Sequence, residues 1–367
     1  MKKLVLLGAG HAHVHLLSTL ASQPMAGVQI TLVAPHPRQL YSGMVPGFVA
    51  GHYELEDCVI ALAPMLRRTG IRWLRASASG LDMQARTIDL SDGSRISFDW
   101  LSLNTGPVQD RQKIEQSLPG AREHGLFLRP IEAFGSLWPR VVALAESRVL
   151  RLAIVGGGAA GIELAMAVRH RLANASITLL TGGAGLASNY PARVQARLVQ
   201  ALKKRHITVL EDKAVGFDTG AVLLGCGARL LCDVPLIAMG AQAPAWLADS
   251  GLALDEQGFV SVDACLRSVS HPHVFAAGDV SSRVDQTLAR SGVYAVRAGP
   301  ALTNNLRAVV AGTPPSPHLP PKHTLNLIAC GDGEAIASWG NFAAQGRWVW
   351  RLKDRIDRQF IQRYRQP

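Results

Sequence analysis

Residues 3–7 (KLVLL) are a short apolar run that ends in glycine, the pattern of a parallel strand buried on both faces. The stretch His11 to Leu20 then predicts a helix, and Val28 to Val33 a second strand. The same order restarts further on: Leu152 to Val155 as strand, Gly156 to Gly161 as turn, Ile162 to Leu172 as helix, Ile177 to Leu180 as strand. The two βαβ units stand 148 residues apart, counting from Gly8 to Gly156. Two such folds imply two dinucleotides. Between them, residues 71–106 have the short runs of strands joined by turns, with Ser91-Asp92-Gly93-Ser94 as a hairpin turn. Five prolines between Pro314 and Pro321 mark a linker. Residues 323–367 then form a small terminal unit that ends in a helix.

Composition narrows the class. Hydrophobic residues make up 48% of the 367 positions, with 35 glycines, as in a globular α/β enzyme rather than a disordered chain. The formal net charge is +11, and residues 346–367 carry seven Arg or Lys against two Asp. That excess is a local basic face, and no nucleic-acid motif accompanies it. The five cysteines (Cys58, Cys226, Cys232, Cys265, Cys330) are scattered and include no CxxC or CxxxxC pair, which fits a reducing cytoplasm. The apolar start Leu4 to Leu7 is too soon interrupted by glycines and histidines to be a signal peptide. Residues 152–168 read as strand, turn and helix rather than a membrane span.

Gly156-Gly157-Gly158-Ala159-Ala160-Gly161 contains a full GxGxxG between a strand and a helix. The first glycine makes the turn, the second admits a pyrophosphate, and the third lets helix and strand approach. The acid expected about 20 residues on, to bind a ribose 2′-hydroxyl, is missing, since the second strand ends Leu180-Thr181-Gly182-Gly183. No arginine follows at once to take a 2′-phosphate, so NADH and NADPH both stay open. Gly8-Ala9-Gly10-His11-Ala12-His13 is a variant in which His13 stands in the third glycine's place. Either its helix stands further from the strand or the imidazole finds a pocket. Ala34-Pro35 replaces the strand-end acid here too. His11 and His15 are spaced i,i+4, but His11 in the first helical turn suits a phosphate better than a metal, and no metal site is expected. Val274 to Asp279 (VFAAGD) is an apolar strand ending in Gly-Asp, and Leu101 to Pro107 (LSLNTGP) and Leu236 to Pro244 (LIAMGAQAP) are two more strands ending in glycine turns.

In this order the motifs resemble the pyridine nucleotide–disulfide oxidoreductase superfamily over nearly the whole chain, and within it the type II NADH dehydrogenases. The segments GAGHAHVHLL, Tyr41 to Gly47 (YSGMVPG), Ser338-Trp339-Gly340 and GRWVWRLKDRIDRQF are similar to a narrower group, the FAD-dependent oxidoreductase domain found fused to selenide, water dikinase (selenophosphate synthetase). The resemblance implies an α/β fold with two Rossmann-like domains and FAD and NADH or NADPH as cofactors. The expected FAD domain spans 1–125 and 251–315, an inserted NAD(P)H domain 126–250, and a C-terminal unit 316–367. It also implies roles. Gly8, Gly10 and His11 would hold the FAD pyrophosphate. Tyr41, Gly43, Met44 and Pro46 would lie against the isoalloxazine, and Thr105 and Gly106 would pass beside the flavin nucleotide. Gly278, Asp279 and Val280 would reach the ribitol. Gly156, Gly158 and Gly161 would hold the NAD(P)H pyrophosphate, with Gly240 at its border. Glu163 would be the catalytic carboxylate between nicotinamide and flavin. No cysteine precedes Cys58, so a disulfide relay is not expected.

Val349, Leu352, Ile356, Phe360 and Tyr364 recur at helical spacing, opposite Arg347, Arg351, Lys353, Arg355 and Arg358, with Trp348 and Trp350 at the start. Such a helix either lies on an anionic membrane surface, through 346–365, or packs on the FAD domain or at a homodimer interface. The expected activity is transfer of hydride from NAD(P)H to FAD and of electrons to a quinone-like or other small acceptor, in the cytoplasm or on the inner face of its membrane. The alternatives are a soluble flavoprotein reductase linked to selenium metabolism and a flavin-bound redox sensor with slow turnover. A sulfide-oxidising variant would have to rely on Cys330.

Overall fold

The computed structural model describes residues 1–239 and 242–365. The strand Lys2–Leu7 is central to a five-stranded parallel sheet, with Val28–Val33 and then Arg72–Leu74 on one side and Trp100–Leu103 and then Val274–Ala276 on the other. Its inner residues Leu4 to Leu7 are fully buried, as the continuous apolar run requires. Helix α1 (His11–Ser22) leaves the carboxyl end of that strand. A second parallel sheet repeats the plan around Arg151–Val155, with Ser176–Leu180 and Thr208–Leu210 on one side and Val234–Ile237 and Leu126–Phe127 on the other. Helix α2 (Ala159–Arg171) follows the second glycine turn. In both sheets the order reverses beside the first strand, which opens a crevice at the strands' carboxyl ends.

Each sheet also carries a three-stranded antiparallel meander. In the first unit it is Ala78–Asp82, Thr87–Leu90 and Arg95–Ser97, and in the second Ala214–Asp218, Ala221–Leu224 and Arg229–Leu231. Helix α3 (Gly292–Val310) lies along α1, where a Cβ on Gly299 would stand 2.9 Å from His15 Cβ. The small terminal unit is an antiparallel sheet of Asn326–Ala329, Ala335–Trp339 and Phe342–Gly346, followed by helix α4 (Arg347–Tyr364). Among the described residues no helix is long and apolar enough to cross a membrane.

The terminal helix differs from its sequence pattern. Val349, Phe360 and Tyr364 are buried, but Ile356 is exposed and Asp357 is buried in its stead. Lys353, expected on the solvated basic face, also turns inward, with only 12% of its side chain exposed. The inner stripe is therefore Val349, Lys353, Asp357, Phe360 and Tyr364. A charge pair tolerates burial when its remaining hydrogen bonds are satisfied, and the stretch Tyr41–Gly43 satisfies them here.

Candidate active site

The first glycine turn is built by close approach to the neighbouring strand's end. A Cβ on Gly8 would stand 2.5 Å from Thr105 Cα, and one on Gly10 2.5 Å from Asn104 O. The Gly10 amide donates to that same carbonyl at 3.0 Å. Asn104 ties three elements together: its Oδ1 accepts from the His13 amide (3.1 Å), and its Nδ2 donates to Ala277 O (2.6 Å).

His13 settles the question that its motif left open. Its ring is fully buried, with Nδ1 2.6 Å from Gly8 O and Nε2 2.8 Å from Ser102 Oγ. A carbonyl only accepts, so Nδ1 carries the proton and Nε2 accepts from the serine. Burial holds the imidazole neutral, with its pKa pulled down to about 4. The histidine has found its pocket and bonds the turn to the sheet.

These turns open onto a cavity of about 620 Å³, a volume ordinary for a cofactor site. It runs from Ala76–Ala78, past Gly8, Gly10 and His11, to Thr105, Gly106, Arg129, Asp279 and the start of α3 at Gly292. His11 accepts at Nδ1 from the Gln39 amide (2.6 Å), and burial lowers its pKa to about 4. It therefore meets a ligand as a neutral hydrogen-bonding group, not as a cation. Burial raises the Asp279 pKa, against the pull of the Arg129 and Arg290 guanidinium groups. Gln39 Oε1 in the cavity wall and Ser291 Oγ beside it are buried without a hydrogen-bond partner. Two glycines with no room for a Cβ, a half-buried cation opposite a half-buried carboxylate, and orphaned polar atoms fit a large phosphate- and hydroxyl-bearing ligand such as FAD.

The other expected residues fall around this cavity rather than in it. Ser42 lines it, while Met44 and Pro46 are buried in the core behind. Tyr41 stacks on Phe360 of α4, with ring centroids 4.4 Å apart. Gly43 turns its carbonyl to Lys353 Nζ (2.6 Å). Gly278 lines a neighbouring pocket with Asp279, and Val280 is fully buried. Gly240 lies outside the described residues.

In the second unit, a Cβ on Gly161 would stand 1.9 Å from Gly156 O, so helix and strand touch through the glycine. A Cβ on Gly158 would meet nothing within 4 Å, leaving open space at the start of α2. Two residues past Gly161, Glu163 accepts from the Ala329 amide (2.7 Å). It keeps some exposure, yet burial pushes its pKa up to about 7, against the opposing pull of Lys353 and of that amide. Lys353 in turn donates to Asp357 Oδ2 (2.6 Å), and Asp357 hydrogen bonds with the Tyr41 side chain. A chain of titratable groups thus runs from α2, through α4, to the stretch bordering the cavity. Glu163 is legible in the sequence as a site residue, whereas Asn104, Gln39, Arg129, Lys353 and Asp357 are not. Only the Lys353–Asp357 spacing of four carried a signal for its pair.

A sequence profile of the pyridine nucleotide-disulphide oxidoreductases matches residues 2–299. The chain belongs to the pyridine nucleotide-disulphide oxidoreductase family. Among its relatives is the alternative NAD(P)H-ubiquinone oxidoreductase C1 of Arabidopsis thaliana, 25% identical over 77% of this chain and 62% of that protein. The chain spans about three fifths of that relative's length. The ferredoxin–NAD(+) reductase component of the p-cumate 2,3-dioxygenase system of Pseudomonas putida is 30% identical over 77% of this chain and 68% of that one. The fold is that of the sulfide:quinone oxidoreductase of Aquifex aeolicus, with a TM-score of 0.80 at 18% identity over 100% of this chain and 92% of that one. All five cysteines are free. Burial pushes the Cys330 thiol up to about 12, so it stays protonated and is a poor nucleophile.

Proposed function

We propose that this chain takes hydride from NAD(P)H onto FAD and passes the electrons to a quinone-like acceptor. Gly8, Gly10, His11, Thr105, Gly106 and Asp279 would hold FAD, with Arg129 facing the same cavity. Gly156, Gly158 and Gly161 would hold NAD(P)H. In this reading residues 1–125 and 251–315 form the FAD unit, 126–250 the nucleotide unit, and 316–367 the terminal unit. Bound FAD supplies the hydride acceptance and the electron transfer.

The residues of the chain supply geometry and protons. The single observation carrying the reading is Glu163, whose pKa of about 7 lets it exchange a proton at neutral pH. The Lys353 ammonium attracts it electrostatically and, with Asp357, hydrogen bonds to Gly43 and Tyr41 at the edge of the cavity. Neutral His11 and half-buried Asp279 would orient hydroxyls and phosphates rather than move protons. Helix α4 packs its inner stripe against Tyr41–Gly43 beside the cavity and leaves Arg347, Trp348, Arg351 and Arg355 outward, which supports peripheral contact with an anionic membrane where a quinone would be met. The Pseudomonas relative and the net charge of +11 favour a second acceptor class, a small acidic iron–sulfur protein.

The test is steady-state NAD(P)H oxidation by the flavin-loaded protein, with a short-chain quinone or an acidic ferredoxin as acceptor. Turnover with the quinone supports the reading. Turnover with ferredoxin alone selects the second acceptor, and turnover with neither removes both.

A further inference from the structure

The second nucleotide unit has a feature that its glycine motif does not explain. In a Rossmann unit, the residues just after the second strand face the ribose 2′ position, and an acid there selects NAD while a basic group accommodates the 2′-phosphate of NADP. Here the second strand, Ser176–Leu180, runs into Thr181-Gly182-Gly183-Ala184-Gly185. This turn sits directly against the pyrophosphate turn. A Cβ on Gly157 would stand 2.8 Å from Gly185 O and 2.8 Å from Thr181 Cβ, and the Ala187 amide donates to Gly157 O at 2.9 Å. The place where the ribose would lie is therefore defined by packing, not only by analogy.

No carboxylate occurs between Glu163 and Glu211, so the turn brings no acid of its own. The charged groups come from the next strand's end. The Gly182 amide donates to Asp212 O (3.2 Å), which ties the turn to the segment Glu211-Asp212-Lys213. The Asp212 carboxylate is directed elsewhere: it accepts from the amides of Lys213 (2.7 Å) and Cys226 (3.3 Å), and a Cβ on Gly225 would stand 3.1 Å from its Oδ1. Lys213 instead lies over the glycine turn. A Cβ on Gly183 would stand 3.1 Å from Lys213 Cε and 3.8 Å from its Nζ. Any larger residue at 183 would displace the lysine, and glycine leaves its ammonium over the position that an acid would occupy in an NAD-selective unit. Lys213 is exposed, so its charge is available to a ligand.

We propose that Lys213, held over the Gly182–Gly183 turn, receives the 2′-phosphate of the nucleotide and makes NADPH the preferred donor. This rests on the reading of residues 126–250 as the NAD(P)H unit and deepens it by naming which nucleotide is used. Lys213 is here a specificity residue: it bonds a part of the donor remote from the nicotinamide and takes no part in hydride transfer.

The test is binding, measured by calorimetry on the FAD-loaded protein at low salt, with NADP+ and NAD+ as probes, because these differ only in the 2′-phosphate. NADP+ binds about tenfold tighter than NAD+, and Lys213→Ala removes that advantage while moving NAD+ by no more than about twofold. Lys213→Glu reverses the order. Equal or tighter binding of NAD+, a Lys213→Ala variant that weakens both alike, or a preference that follows Glu211→Ala instead would overturn the proposal. If neither nucleotide binds, the nucleotide unit itself has been misread and both proposals fall together.

Discussion

The two glycine turns do the same job by different chemistry. In the second, Gly161 lets α2 rest on the strand, with no space for a Cβ against Gly156 O. In the first, His13 fills the corresponding position, and its ring hydrogen bonds to Gly8 O and Ser102 Oγ. One turn is closed by contact and the other by a buried polar bridge, with Asn104 as its second pillar. The lesson is that the third glycine of the motif is a steric device. A buried, fully bonded side chain can replace it where the sheet offers an acceptor and a donor at the right height. The two turns also differ beyond themselves. The first faces a cavity of about 620 Å³, while at the second a Cβ on Gly158 would meet nothing within 4 Å.

Substitutions at each turn should break this contrast in different ways. The largest effect is expected from Gly161→Ala. The added methyl forces α2 off its strand, and a displacement of about 1 Å lowers NAD(P)H-driven flavin reduction by about 100-fold. FAD content, read from the absorbance of the purified protein, stays unchanged. His13→Ala should act on the other cofactor. It strips Ser102 and Gly8 of their partner, at a cost of about 1–3 kcal/mol per orphaned buried group, so Tm and FAD occupancy fall together. Wild-type FAD content in that variant would show the bridge to be dispensable. Glu163→Gln should slow turnover with a quinone by about tenfold, less than the roughly 100-fold or more that a fully committed acid–base group contributes. In the parent protein that turnover falls as pH rises through about 7, where Glu163 loses its proton. The variant's profile should be flat there.

The remaining effect is on acid stability. His11 and His13 titrate near 4 in the folded protein, below the unfolded value of 6.5. Folding therefore favours their neutral forms. Their contribution is complete above pH 6.5 and is lost as pH falls toward 4. Thermal melts across that window should show Tm falling on acidification, and less steeply in His13→Gln than in the parent.

Much of this was readable in the chain because it is local. The runs 3–7 and 152–155 and the turns after them carry strand, turn and helix within about 20 residues. The rest depends on distant partners. The second meander, Ala214 to Leu231, consists of strands of five, four and three residues, too short for a period to show. The outer strands of the two sheets come from opposite directions along the chain, Val274–Ala276 from far downstream and Leu126–Phe127 from upstream, which no local periodicity reveals. On α4 the apolar count chose Ile356 over Asp357, because nothing within the helix announces that Gly43 O and Tyr41 wait to satisfy a buried pair. At the first turn, the LNTGP segment pointed to Thr105 and Gly106, while the more heavily bonded Asn104 went unread.

The central claim is that the first glycine turn holds the flavin and the second delivers the electrons to it. Anaerobic stopped-flow mixing of the purified protein with NADPH or NADH tests it most directly, followed at about 450 nm where oxidised flavins absorb. The account predicts rapid bleaching in the parent protein, and in Gly161→Ala a full flavin spectrum that bleaches about 100-fold more slowly. Bleaching at the parental rate in Gly161→Ala, or none in the parent with either nucleotide, would contradict it.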